Sequence, residues 1–233
     1  MDGRVQKNHP NQKQGNMPAK TAPEPILEAI SLSKRFPGVQ ALAGVSTRFH
    51  AGEVVAVMGE NGAGKSTLMK ALAGVHPPDA GEIRWEGKVV RISNVAQAEA
   101  LGIVFIHQEL NLCENLTVAE NVFLGREPCR AGWWLDRRTM RKRAGELLAR
   151  VGLKVSPDEV VESLSIGQRQ MVEIARALAS DPILLLLDEP AAGLRFAEKT
   201  QLAELIRTLK GEGVTVLLVE HDMEFVMGLV DRL

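Results

Sequence analysis

The sequence has little that would let it work outside a reducing compartment, inside a bilayer or on a polyanion. Of 233 residues only two are cysteines, Cys113 and Cys129, sixteen apart with no CxxC pair or nearby histidine ladder. That spacing excludes a disulfide scaffold and a structural zinc site, and fits a reducing cytoplasm. The apolar runs are short, VVAVM at 54–58 and ILLLL at 183–187 among the longest, against the ~18 residues that a membrane span requires. The N-terminus is polar where a secretory signal carries its apolar stretch, so no signal peptide is expected. There is no surplus of positive charge either. With 28 Lys and Arg against 29 Asp and Glu the formal net charge is −1, and a nucleic-acid partner is not expected, because neutralising phosphates takes an excess of cations.

What is present belongs to an ordinary globular protein. The chain is 45% hydrophobic and 24% charged, with 21 glycines and 11 prolines, which excludes a wholly disordered or collagen-like chain. Residues 1–24 are rich in Asn, Gln, Lys and Pro with almost nothing to bury, and read as a disordered leader. From Ile26 the pattern changes. ILEAISL and VSTRFH predict two strands around a turn at Pro37 and Gly38. EVVAVMG at 53–59 predicts a strand buried on both faces, followed by a helix over 65–73 closed by Gly74.

GEIRWEG at 81–87 and IVFIHQ at 103–108 predict further strands, the second entered from the helical stretch VAQAEAL, and beyond them the chain turns helical. Thr117 and Glu120 have capping-box spacing, and Asp136 stands before a helix with Leu147, Leu148 and Val151 at helical intervals. The basic run Arg137, Arg138, Arg141, Lys142 and Arg143 reads as a solvated helix face. The last third alternates helix and strand. Met171, Ile174, Ala175 and Leu178 stripe one helix, Leu202, Leu205, Ile206 and Leu209 the next, and ILLLL and VTVLLV are strands. The expected fold class is α/β, with a mostly parallel core sheet, antiparallel N-terminal strands and a helical insertion.

One segment carries definite chemistry. GENGAGKST at 59–67 satisfies G-x-x-x-x-G-K-[ST] and lies between a predicted buried strand and a helix, the context in which such a loop binds phosphate. Gly59, Gly62 and Gly64 let the backbone turn its N–H groups inward, the helix N-terminus adds positive dipole, and Lys65 reaches the terminal phosphates. Ser66 offers a hydroxyl to Mg²⁺. The second half is ILLLLDE at 183–189, a buried strand that places Asp188 at its C-terminal edge, where it can hold the shell of a Mg²⁺ ion. Glu189 next to it can orient or deprotonate an attacking water.

With LSIGQ at 164–168 the sequence resembles the ATP-binding cassette (ABC) ATPases, whose signature motif this is. The order of all motifs agrees, from about Ile26 onwards. Gln108 in FIHQE is similar to the family's Q-loop, His221 after VTVLLVE to its switch histidine, and Phe36 in SKRFPG to its adenine-stacking aromatic. The resemblance implies a P-loop NTPase cassette over 25–233 with a helical subdomain at about 112–180. It implies ATP and Mg²⁺ as cofactors. Nucleotide would be bound by Phe36, by Gly59, Glu60, Asn61, Gly62, Ala63, Gly64, Lys65, Ser66 and Thr67, and in trans by Ser165, Gly167 and Gln168 of a second cassette. The metal would take Ser66, Gln108 and Asp188, and catalysis Glu189, His221 and Gln108.

FPGVQALAGV, GENGAGKSTLMKALAGV, IHQELNLCENLTVAENVFLGREP and LSIGQRQMVEIARAL resemble cassettes of monosaccharide importers. After Pro190 the chain is similar instead to cassettes of branched-chain amino acid importers, and Arg195 stands where the family usually carries the Asp that couples the two sites of a dimer. The implied partners are a second cassette, membrane permease subunits and, indirectly, a periplasmic or extracellular sugar-binding protein. The implied place is the cytoplasmic face of the inner or plasma membrane. Because the chain stops where such cassettes enter further strands, a C-terminal truncation is expected. An amino acid importer ATPase, a non-transport ABC ATPase and a non-hydrolysing fragment are the alternatives.

Overall fold

The computed structural model describes residues 24–130 and 132–233. The leader expected over 1–24 lies outside the described residues, Glu24 apart. Four strands form the core: β3 (Val54–Val57), β6 (Ile103–Ile106), β9 (Leu184–Asp188) and β10 (Thr215–Val219), all parallel, in the order β3-β10-β9-β6. Each is a short apolar run because both faces of the sheet are covered. Alternation divides them between two cores. Leu184, Leu186, Leu217 and Val219 pack on one side, and Leu185, Leu187, Val216 and Leu218 on the other.

On the first side lies an antiparallel sheet, order β2-β1-β4-β5, made of β1 (Leu27–Phe36), β2 (Val39–Phe49), β4 (Ala80–Trp85) and β5 (Lys88–Val90). The turn at Pro37 and Gly38 joins the first two strands, with Gly38 at φ +80°. Between the two sheets lies α1 (Lys65–Leu72), which contributes Leu68, Met69 and Leu72 to a core shared with Leu27, Phe49 and Trp85. The short α2 (Val95–Ala100) leads into β6.

The helices α3 (Val118–Val122), α4 (Arg137–Arg150) and α5 (Ile166–Leu178) pack on one another over the second core, to which α6 (Phe196–Gly211) also belongs. Their starts follow the sequence signals. Thr117 and Glu120 form a capping box, Asp136 caps α4, and Ser165 with Gln168 forms a second box at α5. The run Arg137, Arg138, Arg141, Lys142 and Arg143 is exposed, while Met140, Ala144 and Leu148 are buried. Elements absent from the sequence reading include β5, a small hairpin of β7 (Cys129–Arg130) with β8 (Trp134–Leu135), and α7 (Met223–Met227). Strands of two residues and a helix of five are too short for periodicity to register.

Register fixes where the chemistry sits. Val219 pairs with both Val57 and Asp188, and Leu187 with Ile106. The loops after β3, β6, β9 and β10 therefore leave the same edge of the sheet, its C-terminal edge, where ligands bind in open α/β folds.

Candidate nucleotide-binding site

The loop from Gly59 to Gly64 joins β3 to α1. All three of its glycines have positive φ, at +149°, +83° and +88° for Gly59, Gly62 and Gly64. Gly64 also has no room for a side chain, since a Cβ there would run into the Ala41 carbonyl oxygen of β2. Lys65, the first residue of α1, is 8% exposed, and its ammonium curls back over the loop to donate to the carbonyl oxygens of Gly59 (2.8 Å) and Glu60 (2.9 Å). Glu60, Asn61, Gly62 and Ala63 are exposed at the rim, and Thr67 is half-buried in the first turn of α1. The result is a backbone cradle at a helix N-terminus closed by a cation, which suits a polyphosphate.

The other strand ends complete the site. Ser66 Oγ donates to Asp188 Oδ1 at 3.1 Å, so the helix after β3 meets the end of β9. Glu189 follows at φ +48°, an unusual conformation for a glutamate. Its carboxylate accepts from Gln108 Nε2 at 2.7 Å on one oxygen and stands 3.2 Å from His221 Nε2 on the other. Gln108 comes from the loop after β6 and His221 from the loop after β10. The structure thus gathers Lys65, Ser66, Gln108, Asp188, Glu189 and His221 at one sheet edge.

A cavity beside Asp188 is lined by Ser66, Lys70, His107, Gln108, Glu109, Asn111 and Asp188. Its donors include a hydroxyl, carboxylates and amides, the oxygen chemistry that Mg²⁺ accepts. Among the described residues no cluster of three or more His, Cys, Asp or Glu could hold a metal alone. Mg²⁺ is usually held by one or two protein groups together with substrate phosphates. His107 faces this cavity. Burial, assisted by the nearby Lys70 charge, holds its imidazole below the ordinary histidine value against the opposing pull of Asp188 and Glu109.

Four other expected residues lie elsewhere. Ser165, Gly167 and Gln168 start α5, where Ser165 N–H donates to Gln168 Oε1 at 2.8 Å and Gln168 N–H to Ser165 Oγ at 3.3 Å. None of these bonds reaches the Lys65 cluster. Ser165 is exposed, while Gly167 is buried against the Glu198 side chain. Phe36 ends β1 half-buried, edge-on to His76 with ring centroids 5.4 Å apart and with Lys34 Nζ 5.7 Å from its ring centre.

Sequence reasoning missed Glu220, a buried acid between β10 and His221, although VTVLLVE ends on it. It also missed His107 in the cavity, and Glu198, whose side chain lies against Gly167. An acid closing a fully buried strand is a faint signal for the first; nothing in the pattern marks the other two.

A parallel sheet with a glycine-rich, lysine-closed loop at its C-terminal edge and an acid at the end of β9, two strands from β3, gives the chain the architecture of a nucleotide-binding cassette. The comparisons give its family. The family described as ABC transporter matches residues 42–192, and the chain belongs to it. It is 47% identical over 211 residues to a protein of Burkholderia cenocepacia named as a ribose/galactose/methyl galactoside import ATP-binding protein, covering 91% of this chain and 41% of that protein. It is 49% identical over 208 residues to a ribose import ATP-binding protein of Rubrobacter xylanophilus, covering 89% and 42%. The chain therefore spans about two fifths of the length of the curated relatives it matches. Among solved structures, a nucleotide-free ATP-binding cassette from an ABC transporter superposes with a TM-score of 0.81 at 30% identity, covering 89% of this chain and 86% of that one. The ADP conformation of an ATP-binding cassette of an ABC transporter gives 0.75 at 28%, covering 89% and 85%.

Proposed function

We propose that this chain is an ATP-binding and ATP-hydrolysing cassette of an ABC importer for a monosaccharide. The observation that carries the chemistry is the Glu189 carboxylate, held between Gln108 and His221 at the end of β9, one residue beyond the acid that meets Ser66. In this reading the Gly59–Gly64 backbone and Lys65 bind the phosphates of ATP, and Phe36 stacks on its adenine. Glu189 orients the attacking water and takes its proton, while His221 and Gln108 hold Glu189 in place. Ser66, Asp188 and Gln108 would hold Mg²⁺, which neutralises charge developing on the phosphates.

The exposed Ser165 at the start of α5 supports a head-to-tail pair of cassettes, with Ser165, Gly167 and Gln168 of one completing the site of the other. The names of the relatives support the sugar. The partners are then a second cassette, a membrane permease and, through it, an external sugar-binding protein. The place is the cytoplasmic face of the membrane, as a peripheral subunit; among the described residues no helix is long and apolar enough to cross a bilayer. The cassette is read as spanning 25–233, with its helical subdomain at about 112–180.

Co-purification with permeases of both kinds tests the substrate class. Residues 108–150, which supply Gln108 and the outward face of α4, are the segment expected to meet the permease. Capture by a monosaccharide permease, redirected when this segment is exchanged for one of amino acid type, is the expected result. Preferential capture by a branched-chain amino acid permease overturns it.

A further inference from the structure

Glu220 is a buried acid to which the reaction just described gives no part. It is 4% exposed, and among the described residues it forms no ion pair. Its carboxylate accepts two backbone N–H groups instead: Ala191 on Oε1 at 2.6 Å and His221 on Oε2 at 3.1 Å. Both oxygens face donors, so the side chain acts as a two-point acceptor.

The location of these bonds gives them meaning. β9 and β10 pair in parallel up to Asp188 and Val219, and Glu189 N–H still reaches the Val219 carbonyl at 2.9 Å. Alternate residues of a strand face the same neighbour, so the next donor toward β10 is the Ala191 N–H, and it goes to the Glu220 carboxylate rather than to a backbone carbonyl. The Glu220 side chain takes over at that point and ties the segment after Glu189 to the backbone of His221. A closed ring results, running from Glu189 through Pro190 to Ala191, across the Glu220 carboxylate to His221, and through the imidazole back to Glu189 Oε1 at 3.2 Å. The His221 side chain is 44% exposed, so little packing orients it. Its geometry depends on where its backbone is held. Glu189, at φ +48°, depends equally on what fixes the residues after it.

We propose that Glu220 is a positioning residue, which sets the His221 imidazole against the Glu189 carboxylate by clamping the backbones of both loops. This rests on the ATPase reading above for its consequence in turnover, but not for the geometry itself.

Glu220→Gln is the informative change, because an amide offers one acceptor and one donor, and one of the two N–H groups must then face an NH₂. The expected result is a fall of at least tenfold in kcat for Mg-ATP with less than a twofold change in nucleotide affinity, since the Lys65 loop is untouched. Glu220→Asp keeps the charge but is too short to reach both donors, and the same loss is expected at smaller size. The second readout needs no turnover. Replacing Glu189 by Gln should move the His221 ring resonances in the NMR spectrum of the parental chain and leave them unmoved in the Glu220→Gln background. Equal responses in the two backgrounds overturn the proposal, as does parental turnover in both Glu220 variants. Absence of turnover in the parental chain refutes the ATPase reading alone, and the ring resonances still decide the role of Glu220.

Discussion

The Ser66 hydroxyl donates to Asp188 Oδ1 across 3.1 Å and 122 residues of chain. Through this bond the helix that begins at the phosphate loop touches the strand that delivers the acids, so the two halves of the site are already in register. Asp188 is 6% exposed, and a buried carboxylate that loses a partner is costly. Asp188→Asn keeps the shape and removes the charge that would attract a divalent cation. It should abolish the Mg²⁺ dependence of ATP binding, measured by calorimetry with and without the metal.

Lys65→Ala removes the cation that closes the loop at 2.8 and 2.9 Å from its carbonyl oxygens. Affinity for Mg-ATP should fall at least tenfold, beyond detection at micromolar nucleotide. Unchanged affinity would mean that nucleotide binds somewhere else.

Glu189→Gln keeps the size and hydrogen bonding of the side chain that sits between Gln108 and His221, but not its basicity. ATP should still bind while hydrolysis drops by two or more orders of magnitude. Size-exclusion chromatography with ATP should show a dimer accumulating. Hydrolysis at the parental rate would remove Glu189 from the mechanism.

Gly64→Ala tests the cradle without touching any polar side chain. The position has φ +88° and its Cβ would meet the Ala41 carbonyl, so the variant should lose about 1–3 kcal/mol of stability. Denaturant midpoints measure this, and nucleotide affinity should fall along with it.

His107 predicts a pH dependence. Its imidazole is held below the usual histidine value by burial and by Lys70, so on acidification the unfolded chain takes up the proton first. Its contribution to stability is complete above the unfolded value of about 6.5 and is lost as the pH falls below it. Urea midpoints at pH 7.5 and pH 5.5 should differ more in the parental chain than in His107→Gln. Equal differences would show that the group does not titrate as its surroundings dictate.

Local signals carried much of this protein. The phosphate loop is legible because the glycines, Lys65 and Ser66 of GENGAGKST answer to backbone geometry, charge and metal chemistry over a few residues, and Gly59, Gly62 and Gly64 all adopt the positive φ that their composition implies. The caps at Thr117, Asp136 and Ser165 and the apolar strands at 54–57, 184–188 and 215–219 are local in the same sense, each set by a few neighbours in sequence. Strand order and register were decided only by tertiary structure, because the parallel sheet pairs segments up to 162 residues apart, as Val54 with Val216. That pairing brings Gln108 and His221 to opposite oxygens of Glu189, and it buries Glu220 where the Ala191 N–H leaves the backbone ladder for a carboxylate. No spacing in the sequence encodes those contacts. They arise from the packing of whole strands, and a carboxylate reads as exposed until its neighbours are in place.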